Sequence, residues 1–450
     1  MSSPTTSRPV GPLEAAGTGP AAGDPDRLHD VLVVGGGPSG SSCAYWLAEA
    51  GWDVALVEKK VFPRDKTCGD GLTPRSVRQI ADMGVEGALA GAHRYTGLRA
   101  HAFGRVLDLP WPEHPTFPSY GYVITRHDLD AIVNERAVKA GATVWQGTEA
   151  VEPILEDRGS PVGPGGLASC VGAVVKEKST GATRSVRARY VVVADGANSR
   201  FGRALGTARD RGQPMGMALR GYYTSPGHDQ PFIESHLDIR DGDGEVVPGY
   251  GWIFPLGDGR VNVGVGLLST DRRWKGVNTS TLMDHFVAGA PGEWELSPST
   301  CLGPPTGGKL PMGLAVGPRV GATTLVVGDA AGSINPFNGE GIAYGYESGR
   351  MAAAAVGEAL CGDGIEALHR YEARLEDAYG LYFRVARAFI RVISRPELMR
   401  LCVGTGMRSE SLMSWILRIM ANLLRPDETG PAEAAYRALA LIARMAPEGA

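Results

Sequence analysis

The strand Asp30-Val-Leu-Val-Val, the turn Gly35-Gly-Gly37-Pro-Ser-Gly40 and the strand Asp53-Val-Ala-Leu-Val-Glu58 constrain this chain more than any other feature. The Ala- and Leu-rich stretch from Ser39 to Gly51 between them reads as a helix, so the unit is βαβ with GxGxxG in its first turn. Gly35 allows the tight turn, Gly37 lets the backbone approach a pyrophosphate, and Gly40 lets helix and strand pack closely. Pro38 and Ser39 then open a helix whose positive end faces the phosphates. Glu58 lies 18 residues after Gly40, at the end of the second strand, where a carboxylate takes a ribose hydroxyl.

The pattern does not continue as a simple doubly wound sheet. After residue 80 come short strands and Pro-rich loops. Residues 128–140 predict a helix, Ala142-Thr-Val-Trp-Gln a strand, and Tyr190-Val-Val-Val-Ala-Asp195-Gly196 a buried strand. Residues 207–318 alternate apolar and polar, as a mostly antiparallel sheet does. Leu325-Val-Val-Gly328-Asp329 returns to the first sheet, and a helix is predicted from about 341 to 360. The expected organisation is a tail over 1–28, a discontinuous dinucleotide-binding domain over 29–80, 120–206 and 319–370, a substrate domain over 81–119 and 207–318, and a helical section over 371–450. The fold class is α/β. Gly264-Val-Gly-Leu-Leu-Ser and Gly404-Thr-Gly-Met-Arg-Ser lack the third glycine, so one dinucleotide site is expected and no separate nicotinamide domain. A chain that folds back some 300 residues to complete a cofactor site reads as a flavoprotein with FAD, not as a nicotinamide dehydrogenase.

Composition removes other classes. A net charge of −4 argues against a nucleic-acid binder. Six cysteines without a CxxC pair give no metal-ligand spacing and read as free thiols in a reducing compartment, the cytoplasm. Residues 1–28 hold too few large apolar side chains to offset the entropy of ordering, and no apolar run is long enough to span a bilayer. Between 380 and 425, eight Arg face only Glu397 and Glu410. Arg384, Arg387, Arg391 and Arg395 repeat on one helical face, a pattern suited equally to an anionic membrane surface and to a protein contact.

These pieces resemble the flavoprotein superfamily of aromatic hydroxylases, flavin halogenases and geranylgeranyl reductases, over nearly all of residues 30–370. Asp195-Gly196 and Gly328-Asp329 resemble its two later cofactor motifs. Phe62-Pro-Arg-Asp-Lys-Thr-Cys-Gly-Asp-Gly-Leu-Thr-Pro-Arg75 is similar to the signature of geranylgeranyl reductases, nearest to the branch acting on the prenyl tail of menaquinone. Tyr250-Gly-Trp252-Ile-Phe-Pro255 resembles the aromatic motif of their substrate domain. The resemblance implies a Rossmann-type, aromatic hydroxylase-like FAD domain with an interleaved β substrate domain and a C-terminal helical section. It implies FAD contacts from Cys68, Gly69, Asp70, Gly71, Arg126, Ala150, Asp329, Gly341 and Ile342. The implied activity saturates an isoprenoid double bond, by hydride from reduced flavin with protonation of the alkene. The substrate would be a prenylated quinone or another isoprenoid lipid, and the electron donor NAD(P)H or a redox protein.

An isolated alkene has no carbonyl to polarise, so a proton must arrive with the hydride. Positive charge on the tertiary carbon would suit aromatic faces, which Tyr250 and Trp252 place on one side of a strand. Cys68, Tyr250 and an ordered water are the candidate proton donors. Tyr250 and Trp252 serve equally well as core packing, and Arg126 as a partner for a carboxylate. A flavin monooxygenase or halogenase acting on an aromatic or lipid-like substrate is the alternative, because Tyr-Gly-Trp-Ile-Phe-Pro also resembles the halogenase motif.

Overall fold

The computed structural model describes residues 27–156, 167–270, 274, 276–425 and 427–445. Nearly all of the expected tail lies outside the described residues. Leu28–Val34 pairs in parallel with Val54–Val57 on one side and Thr183–Val193 on the other. Thr143–Trp145 extends the sheet beyond Val54–Val57, and Thr324–Val326 adds a further parallel strand beside Thr183–Val193. Cys170–Glu177 and Thr148–Leu155 continue it antiparallel. Val31 and Val33 point into one core with Leu56, Val192 and Leu325, while Leu32 and Val34 point into another with Ala55, Val191 and Val193. Both faces are covered, which is why these strands read as unbroken apolar runs.

The second sheet runs Thr306–Pro311, Met215–Thr224, Arg260–Leu268, Gly249–Pro255, Phe232–His236, Gly97–Ala102 and Arg105–Pro110. Only the Phe232–His236 and Gly97–Ala102 neighbours are parallel. Period-2 alternation gives it two different faces. Val261, Val263, Val265 and Leu267 bury against Leu282, Met283 and Phe286 of the Thr279–Ala288 helix. Asn262, Gly264 and Gly266 therefore face the other way. A small third sheet ties Gly71–Leu72 to Gly121–Val123 and His93–Tyr95.

The C-terminal helices pack on the protein. Tyr371, Leu375, Tyr379 and Phe383 join the core beneath the first sheet, and Met413 and Leu417 pack with Tyr95, Leu109 and Trp111. The expected basic stripe is shortened. Arg395 lies beyond the Leu381–Ile393 helix, with extended backbone (φ −96°, ψ 116°), because it precedes Pro396. Arg387 donates to the Gly313 carbonyl (3.2 Å). The Cys361-Gly-Asp-Gly stretch is a kink at Gly362 (φ 125°) between Ile342–Glu358 and Gly364–Leu375.

Candidate active site

Two helices meet at the first sheet with open N-termini. Pro38–Glu49 and Ile342–Glu358 begin at Gly37 and Gly341, and neither start carries a side-chain cap. Their first-turn amides are therefore available to an anion. Gly35 has φ +105°, and a Cβ there would overlap the Ala194 carbonyl. A Cβ on Gly40 would overlap the Gly35 carbonyl, so the helix settles on the strand only because that side chain is missing. Beyond Gly37 the nearest atom is an Arg64 terminal nitrogen at 3.9 Å, leaving a cradle open to a ligand. The two helices pack through Ser39 against Gly345 and Gly349, a glycine pair that sequence reading passed over.

Glu58 sits buried at its strand end, accepting the Gly36 N–H (2.9 Å) and the Lys60 N–H (3.0 Å). Arg64 reaches over it to Asp130 (2.9 Å). Ala150 lies in the neighbouring strand opposite Val175, two residues after Thr148, whose N–H donates to the Glu58 carbonyl. Asp195 accepts the Phe201 N–H through one carboxylate oxygen, and its other oxygen is buried without a partner among the described residues. Burial pushes its pKa up against the hydrogen bonds it accepts. An open glycine cradle, two uncapped helix starts and an orphaned buried acceptor fit a dinucleotide rich in phosphate and hydroxyl oxygens.

At the other end, Asp329 is half-buried; burial raises its pKa against the charges of Lys66 and Arg126. A Cβ on Gly341 would stand 3.2 Å from its carboxylate. The Cys68–Gly71 loop lies beside it on the aromatic strand. A Cβ on Gly69 or Gly71 would meet the Phe254 ring at 3.3 or 3.1 Å. Tyr250, Trp252 and Phe254 form a ladder with ring centroids 5.8 and 6.2 Å apart. The Tyr250 hydroxyl donates to the Asn338 carbonyl (2.7 Å), joining the ladder to the Asn335–Gly341 loop, and burial lifts its pKa to about 12. The Trp252 N–H donates to Asn262 (2.9 Å), and its ring lies over Gly264, where a Cβ would collide with it. Cys68, whose pKa is raised by burial against the pull of Arg126, remains a thiol at neutral pH.

Two of the expected residues have partners within the protein. Asp70, fully buried with φ +65°, accepts the Tyr222 hydroxyl (2.6 Å), the Asn262 amide (2.8 Å) and the Arg126 N–H (3.2 Å). Its carboxylate shapes the loop from behind. Arg126 places its guanidinium fork on Asp130 at 2.6 and 2.7 Å, so the carboxylate-partner role is the one observed. Asn262 also donates to the Cys68 carbonyl (2.9 Å) and is the hub joining loop, strand and ladder. The sequence did carry a signal for it, a lone amide between Val261 and Val263 in an otherwise apolar strand.

A second cluster lies at the far end of the substrate sheet. Glu234, with no exposed surface, has His236 at 3.1 Å, His101 at 3.3 Å and the Trp294 N–H at 3.0 Å. No metal was expected from the sequence. These three His and Glu side chains form a grouping that the cysteine spacing could not disclose.

Comparison with known proteins agrees with this geometry. A family described as an FAD binding domain matches residues 29–219. The menaquinone reductase of Mycobacterium tuberculosis is 39% identical over 90% of this chain and 93% of its own. The chain belongs to the geranylgeranyl reductase family of FAD-dependent oxidoreductases. A digeranylgeranylglycerophospholipid reductase from Methanopyrus kandleri is 32% identical over 82% of the chain and 91% of that protein. A geranylgeranyl bacteriochlorophyll reductase-like protein of Thermoplasma acidophilum superposes with a TM-score of 0.69 at 23% identity, covering 92% of this chain and 96% of that one. A flavin-dependent brominase superposes as well (TM-score 0.70, 19% identity, 93% and 100% covered), a likeness of fold alone.

Proposed function

We propose that this family member saturates a double bond in the prenyl tail of menaquinone. The observation that carries the reading is the meeting of the Cys68–Gly71 loop, the Gly339–Gly341 loop and the Tyr250–Phe254 ladder at one place. Bound FAD, once reduced, supplies the hydride. The chain's own part is to receive an apolar tail, exclude water and deliver a proton. Tyr250 and Trp252 give the tail an aromatic surface on which charge developing at a tertiary carbon is stabilised. The half-buried Cys68 thiol and the Tyr250 hydroxyl hold their protons at neutral pH, so either is a proton source within the site, each made a weaker acid by burial. Electrons come from NAD(P)H or a redox protein, because no second GxGxxG turn offers a resident nicotinamide.

Among the described residues no helix is long and apolar enough to cross a membrane. The exposed Val392 and Leu401 beside the exposed Arg395 and Arg400 support peripheral contact with an anionic bilayer, from the cytoplasmic side. Flotation of the protein with anionic but not neutral liposomes checks that contact. The reductase reading is tested by mass spectrometry of the quinone pool in a strain lacking the gene. Loss of two mass units from the tail supports it, and an unchanged pool refutes it.

A further inference from the structure

Arg220 is a buried cation that the reading so far leaves without a task. It lies in the middle of Met215–Thr224, 8% exposed. Its guanidinium stacks on the Tyr222 ring at 4.2 Å from the centroid, its Nε is sealed from solvent without an acceptor, and no carboxylate or carbonyl takes a hydrogen bond from it among the described residues. An arginine carries five donors, and burying them unused costs far more than burying a leucine. The other inward-facing arginines of the site are committed to carboxylates: the buried Arg126 to Asp130, and the half-buried Arg64 to Asp130 and Arg75 to Glu347.

Strand register locates those donors. Arg220 pairs with Gly264, which pairs with Trp252; on its other side it pairs with Thr306. Directly paired residues share a face, so Arg220 stands on the same face as the aromatic ladder, two strand spacings or about 10 Å from Trp252. The Thr306 hydroxyl beside it accepts from Thr67 (3.1 Å), one residue before Cys68. The cation thus borders the region where the tail would lie.

Charge balance narrows the ligand. The Asp70 carboxylate accepts the hydroxyl of the same Tyr222 whose ring underlies Arg220; burial raises the Asp70 pKa, and the Arg220 charge is one of the pulls against that rise. A counter-charge therefore already stands one ring away. The ligand has to bring acceptor oxygens, not further negative charge. A diphosphate would need more cations than this, and the nearby Arg260 is taken by Asp258.

We propose that Arg220 anchors the isoprenoid substrate by its head, donating to a carbonyl oxygen of the quinone ring while the tail crosses the Tyr250–Trp252 ladder. This rests on the prenyl-quinone reading above.

The test uses the FAD-loaded wild type, Arg220→Gln and Arg220→Lys. Binding of a short-tailed menaquinone, of squalene as a headless isoprenoid, and of geranylgeranyl diphosphate is followed by flavin fluorescence, with FAD content measured alongside. Arg220→Gln should weaken menaquinone about tenfold or more, leave squalene and FAD content unchanged, and be partly rescued by Arg220→Lys. Equal weakening of menaquinone and squalene, loss of FAD, or unaltered menaquinone binding overturns the anchor. A larger loss for the diphosphate than for the quinone overturns the carbonyl assignment. If the wild type adds no mass to the menaquinone tail, the reductase reading fails by itself, and the binding comparison still decides the role of Arg220.

Discussion

Replacing Glu340 by Gln should stabilise the folded protein at pH 8 and not at pH 5. Glu340 lies in the loop before the Ile342–Glu358 helix. One carboxylate oxygen accepts the Thr73 and Ser76 hydroxyls, and the other is buried without a partner among the described residues. Burial outweighs those hydroxyls and the Arg75 charge, and lifts the acid from 4.5 to about 7. The folded pKa is the higher one, so between these values the unfolded chain releases its proton while the folded chain keeps it. Stability therefore falls as pH rises through that window and levels off above it. At about 1.4 kcal/mol per unit, the raised pKa costs the wild type about 3 kcal/mol at pH 8 and under about 1 kcal/mol at pH 5. Gln keeps an acceptor for Thr73 and Ser76 but buries an N–H without a partner, at about 1 kcal/mol. The net expectation is a gain of about 2 kcal/mol at pH 8 and little or no gain at pH 5. Urea denaturation of both FAD-loaded proteins, read by tryptophan fluorescence at the two pH values, measures it. A difference between the proteins that stays constant with pH refutes the reasoning.

Gly264→Ala should cost about 2 kcal/mol, since the new Cβ collides with the Trp252 ring and parts its N–H from Asn262; denaturation together with FAD affinity reports it. Cys68→Ser should retain FAD and lose most turnover, and unchanged turnover at saturating substrate would remove the thiol from proton delivery. For Glu234, burial would raise the pKa, but hydrogen bonds and charge from His101 and His236 lower it to about 2. That stabilisation is present above about 4.5 and is lost as pH falls toward 2, so the wild type should lose up to about 3 kcal/mol more than Glu234→Gln over this range. Parallel acid titrations followed by circular dichroism decide it.

The first sheet was legible because its strands are buried on both faces and its glycines obey steric needs that show in the residue type. The ladder was legible too, because alternation along a strand puts Tyr250 and Trp252 on one side whatever the sheet does. What escaped was pairing between distant segments. Nothing local to Asp70 says where its carboxylate finds its partners, because Tyr222 and Asn262 are 152 and 192 residues away. The same holds for Arg126. Its partner Asp130 is one helical turn on, but only the fold shows the guanidinium fork laid on that carboxylate. Arg395 was misplaced for a local reason, the proline after it, that the helical spacing of the arginines concealed.

The pairing of the two open helix starts has a consequence for synthesis. Gly40 leaves the ribosome some 300 residues before Ile342, and at about 5–20 residues per second that interval is about 15–60 s. During it the nascent chain holds one half of a phosphate cradle and none of the helix that packs against it through Gly345 and Gly349. FAD can therefore be captured at full strength only late in translation. A chain truncated before residue 342 should emerge as a colourless protein, however well its first βαβ unit folds.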